Sequence, residues 1–132
     1  MKKTNNKGFS LVELIIVVAI MAVLVGVLAP QYMKYLDKSK KGVDEQLCDN
    51  VRQAMTTCYL DPNISNKPSD TTTKTAISAS GSGFWDEVNG ILGSYSLKLD
   101  NTQTIKYTLQ GGKFCVYVEG GKYSGSLKIA IE

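Results

Sequence analysis

A chain of 132 residues is long enough for one compact domain plus an extra segment, and it carries 15 Lys and Arg against 12 Asp and Glu. Lys2, Lys3 and Lys7 supply the whole excess of +3, so from Phe9 onward 12 cations face 12 carboxylates, and such a body does not attract nucleic acid through its bulk field. It has no histidine, which removes the commonest general base, the commonest zinc ligand and every Ser-His or Cys-His nucleophile pair; no catalytic residue and no cofactor site is expected.

The first predicted element is apolar. Phe9 to Ala29 reads "FSLVELIIVVAIMAVLVGVLA" and contains one charge, Glu13. About 20 such residues suffice to cross the hydrocarbon core of a bilayer. Aliphatic side chains occupy every face, so the segment is a membrane span or a helix surrounded by other helices. A cleaved secretory signal shares the basic start, but its apolar run is only about 7–15 residues and ends at a small-residue cut site. Lys34, Lys38, Lys40 and Lys41 follow the segment as Lys2, Lys3 and Lys7 precede it, so charge asymmetry does not set the orientation. Glu13 is costly here unless something pairs with it.

Lys7 to Glu13, "KGFSLVE", resembles the processing site of a type IV prepilin: a short basic leader ending in Gly8, then Phe9, with Glu13 four residues beyond. The resemblance covers roughly Met1 to Asp37, and Pro30 falls where many members of that family carry a helix-disturbing proline. It implies that a prepilin peptidase cleaves between Gly8 and Phe9 on the cytoplasmic side, and that Phe9 is then N-methylated. Residues 1–8 would be the leader, and residues 9–36 the membrane anchor and later the core of a filament. Residues 37–132 would be the α+β head. The implied partners are further copies of the chain, the peptidase and methyltransferase, the membrane, and a pilus assembly platform with its ATPase. The implied location is the cytoplasmic membrane before assembly and the cell surface after it. Two alternatives stand beside a pilin: a pseudopilin of type II secretion or competence machinery, and, from another class, a membrane-anchored extracellular binding module.

Physical chemistry is consistent with what the resemblance implies. A new amine at Phe9 would be a cation in apolar surroundings, and Glu13 lies about 6 Å along the helix on nearly the same face. Within one chain the carboxylate also suits the positive end of the helix; between chains it can meet a neighbour's amine and fix register. Gly26 and Pro30 weaken the helix together, so the span is expected to be soft there. Tyr32 and Tyr35 suit a membrane interface or a subunit contact.

Beyond Tyr35 the pattern becomes amphipathic. Val43, Leu47, Val51, Ala54 and Cys58 fall within about 80° of a helical wheel, while Asp44, Glu45, Asp49 and Arg52 lie mostly away from that stripe's centre. Asp61-Pro62 ends this helix, placing it at residues 37–60. A helix unbroken from Phe9 to Leu60 would be about 78 Å long. Residues 61–93 read as an exposed loop with one short strand around Thr75 to Ala79. A short helix follows, Phe84 to Leu92, capped by Ser82 and ended by Gly93, with Phe84, Val88 and Ile91 on its packing face. Residues 94–132 alternate at period two in four runs: Tyr95-Leu97-Leu99, Ile105-Tyr107-Leu109, Phe114-Val116-Val118 and Leu127-Ile129-Ile131. Gly111-Gly112 predicts a hairpin pairing Leu109 with Phe114 and Tyr107 with Val116. The expected head is a four-stranded antiparallel meander whose oily face is covered by the Val43–Cys58 stripe.

Three cysteines leave at least one without an intrachain partner. Cys48 and Cys58 stand about 15 Å apart along a helix, beyond the reach of about 7 Å for bridged Cα atoms. Cys115 falls on the sheet face opposite Phe114 and Val116, so all three read as free thiols, and three thiols without histidine do not make a zinc site. Asn63-Ile64-Ser65 matches a glycosylation sequon within an exposed loop. Lys38, Lys40 and Lys41 read as a solvated face past the anchor, with DNA contact along a basic stripe as the lesser alternative.

Overall fold

The structure is a computed structural model that describes residues 8–78, 81 and 83–129. In chain order it contains helix α1 (Leu11–Leu60), strand β1 (Thr71–Ala76), helix α2 (Phe84–Leu92), and strands β2 (Ile105–Gln110), β3 (Lys113–Gly120) and β4 (Tyr123–Ile129). The chain divides into two compact units between Asp37 and Lys38. In the first unit every residue from Gly8 to Tyr35 is exposed, and α1 is long and apolar enough there to cross a membrane.

The second unit is an α+β body. Its strands form an antiparallel sheet in the order β1-β2-β3-β4 among the described residues. The β2–β3 hairpin has the register expected from the glycine pair, Leu109 opposite Phe114 and Tyr107 opposite Val116. Gly111 and Gly112 adopt φ of 56° and 78°, the left-handed pair a two-residue hairpin needs to match strand twist. Ile105, Tyr107, Leu109, Phe114, Val116 and Val118 are all buried on one face. Against them pack Cys48, Val51, Ala54, Met55 and Cys58 of α1, with Phe84 and Val88 of α2. Aromatic rings tie the layers: Phe114 meets Tyr59 edge-on at 5.5 Å and lies nearly parallel to Phe84 at 6.1 Å.

Several expectations need correction. Tyr95 to Leu99 is not a strand; the sheet edge beside β2 is Thr71–Ala76, so Leu99 does not meet Ile105 across a turn. The period-two signal there was real burial, since Leu97 and Leu99 are 6% and 8% exposed, but they are legs of an irregular segment. The strand expected near Thr75 to Ala79 lies earlier, and Ala79 is outside the described residues. So are the capping candidate Ser82 and the end of the last run, Ile131; α2 starts at Phe84 as expected, with Gly83 at its N-cap position making no side-chain cap bond. Val43 and Ile91, expected on packing faces, are 51% and 58% exposed.

The largest departure is Asp44. It is fully buried, the first buried residue along α1, and its carboxylate accepts three hydrogen bonds. The Lys98 and Leu99 N–H groups donate at 2.7 and 2.9 Å, and the Tyr123 hydroxyl donates at 2.6 Å. Here lies the reason Tyr95–Leu99 is not a strand: the N–H groups of Lys98 and Leu99 are taken by a side chain. A buried carboxylate is tolerated only when so fully satisfied.

Burial, with Asp44 nearby, pushes the Cys48 thiol up to about 12, and burial with the Asp44 bond holds the Tyr123 phenol above its usual range. Both groups are raised in the folded chain, so the stability they contribute is complete below about pH 8 and falls as the unfolded chain's thiol and phenol ionise above it. The urea midpoint should therefore drop between about pH 8 and pH 10.5, and Cys48→Val with Tyr123→Phe should flatten that drop. At neutral pH, Asp44→Ala should cost at least about 3 kcal/mol in urea unfolding, because three donors lose their acceptor. Tyr123→Phe alone should cost about 1 kcal/mol.

Candidate functional site

The residues singled out at the N-terminal end of the chain are Gly8, Phe9 and Glu13. Gly8 is exposed, and a Cβ added to it would meet nothing within 4 Å. Phe9 is 93% exposed, immediately before the helix begins. Glu13 lies in the first turn of α1, where an anion is favoured by the unpaired N–H groups of the helix start.

Local hydrogen bonding fixes how that carboxylate is held. The Ser10 N–H donates to Glu13 Oε2 at 3.1 Å, and the Glu13 N–H donates to Ser10 Oγ at 3.2 Å. This reciprocal arrangement is a capping box. The sequence signal for it, Ser10-Leu11-Val12-Glu13, is a Ser-x-x-Glu spacing before an apolar run, and it was not read above. Ser10 is therefore a site residue that sequence reasoning missed. The box uses only Oε2, so among the described residues Oε1 remains open to a second donor. One carboxylate can thus start its own helix and still accept a cation from outside.

From Leu11 to Tyr35 the helix exposes a continuous aliphatic surface: Leu14, Ile15, Val18, Leu24 and Val25 are each 55–64% exposed. Gly26 and Pro30 lie inside α1, and a Cβ at Gly26 would meet nothing within 4 Å. Burying such a surface stabilises by about 25 cal/mol per Å² of apolar area removed from water, so lipid or partner helices are strongly favoured around it.

The remaining single features lie in the second unit. Cys48 and Cys58 are buried and Cys115 is half-buried, and all three are free. Burial also raises the Cys58 thiol. Cys115 stands opposite Thr108 on the outer side of the sheet. Lys38 and Lys40 are exposed on α1, and Lys41 is half-buried. Asn63 and Ser65 of the sequon are exposed, and the Asn63 N–H donates to Asp61 Oδ1 at 2.8 Å in a side-chain turn.

Residues 3–29, which include Gly8, Phe9 and Glu13, match the family model of the prokaryotic N-terminal methylation motif. The chain is homologous to type IV pilins. Over 59 residues it is 41% identical to the type IV major fimbrial protein FimA of Dichelobacter nodosus, a match covering 45% of this chain and 38% of that protein. Over 125 residues it is 28% identical to the type IV major pilin protein PilE of Neisseria gonorrhoeae, covering 95% of this chain and 73% of that one. It is 34% identical over 65 residues to prepilin peptidase-dependent protein A of Clostridium perfringens, covering 49% and 46%. The chain therefore matches well under half the length of the FimA relative. No solved structure gives a significant match.

Two outcomes check this geometry. Ser10→Ala should remove half the capping box and cost the first turn about 1 kcal/mol, read as faster amide exchange at Leu11–Glu13 in detergent micelles. A thiol reagent at pH 8 should label Cys115 rapidly, while Cys48 and Cys58 react only after denaturation.

Proposed function

We propose that the chain is a structural pilin subunit that polymerises through its N-terminal helix, and not an enzyme. The observation that carries this reading is the exposed aliphatic helix with one charge, Glu13, held four residues from Phe9. As a prepilin it would be cut after Gly8 by a prepilin peptidase and N-methylated at Phe9, then wait in the cytoplasmic membrane as a single-pass protein. Assembly by a platform and ATPase would move the helix from lipid into a bundle of identical helices at the cell surface. FimA and PilE are named as major fimbrial and pilin proteins, and the Clostridium perfringens relative as dependent on a prepilin peptidase, which supports the reading.

Charge supplies the mechanism. Cleavage would create an amine at Phe9 that is unfavourable in an apolar bundle until an anion meets it. Glu13 of a neighbouring subunit offers the open Oε1 while its Oε2 keeps the capping bond. Matching the pair would set the axial stagger between subunits, because helices offering only aliphatic surface can slide past one another without it. Gly26 and Pro30 would let the segment between them yield during transfer, since the Pro30 ring removes one helical hydrogen bond and Gly26 weakens the adjoining turn.

The test is the N-terminus and its partner charge. Mass spectrometry of the mature protein should find methylated Phe9 as the first residue; an intact Met1, or a cut elsewhere, contradicts the reading. In Glu13→Ala, cleavage should continue while surface filaments disappear, since an unmatched charge in an apolar bundle costs about 3–5 kcal/mol. Wild-type filament yield from that variant would refute the pairing.

A further inference from the structure

The segment between α2 and β2, residues 93–104, forms no strand, yet it is held along its length. Gly93 takes φ of 65° and its N–H donates to the Asn89 carbonyl at 2.8 Å, which ends α2 and turns the chain aside. Asp44 fixes the middle of the segment through the Lys98 and Leu99 N–H groups. Near its far end the Gln103 N–H donates to the Asp100 carbonyl at 3.3 Å. The neighbouring chain is braced as well: the Ile77 N–H donates to the Ile105 carbonyl at 3.1 Å, and the Asn89 amide donates to the Ser78 carbonyl at 3.3 Å.

These braces enclose a cavity of about 510 Å³ between the segment, the C-terminal end of α2 and Ile77. That volume lies within the span of small-molecule sites, roughly 300–1,000 Å³. Ile77, Leu97 and Ile105, all buried, form its apolar lining. Tyr95 lines it from a half-buried position. Ser94, Ser96, Asn101 and Thr104 line it from exposed positions, and their side chains make no hydrogen bond among the described residues. No Asp, Glu, Lys or Arg lines the cavity among the described residues. Asp100 has its carboxylate committed to Thr102 and the Lys122 N–H, and Lys98 lines a separate cavity of about 410 Å³ that shares Tyr95.

From this lining we infer that the cavity binds a neutral saccharide of one or two rings. A ligand bearing phosphate, carboxylate or ammonium would give up its hydration with no countercharge to replace it. A wholly apolar ligand would leave the surrounding hydroxyls and amides without partners. A sugar ring meets both demands, with a C–H face for the apolar lining and hydroxyls around its edge. The Ser and Thr hydroxyls and the Asn101 amide each donate and accept, so they match sugar hydroxyls in either sense. Walls braced before binding also keep the ordering cost low. The cavity lies wholly within the body, so the inference goes beyond the pilin reading and its test depends on neither cleavage nor assembly.

The experiment titrates lactose, and separately diacetylchitobiose, into the isotope-labelled full chain in polyoxyethylene micelles, a detergent without a sugar headgroup. At least one of the two should give saturable backbone amide shifts at residues 93–104. Sorbitol, which has the hydroxyls but no ring, and glucuronate, which adds a carboxylate, should bind more weakly. Asn101→Ala with Thr104→Val should raise the half-saturating concentration about tenfold, the net worth of two hydrogen bonds, with an unchanged urea midpoint. Should that pair shift the midpoint, Ser94→Ala with Thr104→Val leaves the turn at Asn101 intact and should give the same loss. Lys98→Gln, in the neighbouring cavity, should leave binding as it was. The inference is overturned if neither disaccharide saturates, if sorbitol or glucuronate binds as well, or if the stable double variant binds like the wild type. A loss in Lys98→Gln as large as in the double variant overturns it too, because the ligand then sits in the other cavity.

Discussion

The first unit is governed by one constraint: an aliphatic helix surface that is exposed along its whole length. Every residue from Phe9 to Ala29 is exposed, and Glu13 is the one charge among them. Water is therefore the one environment that the segment disfavours strongly, and lipid tails and other copies of the helix are the two that suit it. Because the two are nearly equivalent for aliphatic side chains, the choice between them rests on something other than hydrophobicity. On the reading proposed above Glu13 makes that choice, since a carboxylate distinguishes a matched cation from an unmatched environment by several kcal/mol.

The body obeys a different economy. Its core is one layer of α1 and α2 against one face of the sheet, and the junction is fastened by a polar group rather than an apolar one. Asp44 gathers two backbone donors from the segment before β2 and the hydroxyl of Tyr123 at the start of β4. A second carboxylate repeats the device at the surface. Asp100 accepts from the Thr102 hydroxyl and N–H and from the Lys122 N–H, and these bonds hold its pKa below the usual carboxylate range. Its Oδ2 lies 1.9 Å from where a Cβ on Gly121 would stand, so a side chain there would displace this carboxylate from its bonds. Sheet and connecting segment are thus joined twice by side-chain acceptors.

How much of this could be read from sequence depended on whether the signal was local. The apolar helix, its stop at Asp61-Pro62, α2 and the β2–β3 register all rest on periods, glycines and prolines within a few residues, and those elements stand where expected. The sheet edge was misread because alternation reports burial and not pairing. Leu97 and Leu99 alternate because they point into the core, while their backbone belongs to Asp44. Asp44 itself was invisible: an acidic residue on an amphipathic helix reads as solvated unless its donors, more than fifty positions away, are known. Ser10 is the opposite case: its Ser-x-x-Glu spacing to Glu13 is a capping signal legible within four residues.

The central claim is that Glu13 of one subunit meets the Phe9 amine of another. The most direct test is zero-length carbodiimide cross-linking of filaments assembled from a mixture of isotopically heavy and light subunits. Mass spectrometry should then recover Phe9 of one label joined to Glu13 of the other. Filaments that yield the link only within one label class, or that form normally and yield no Phe9–Glu13 link, would contradict the account.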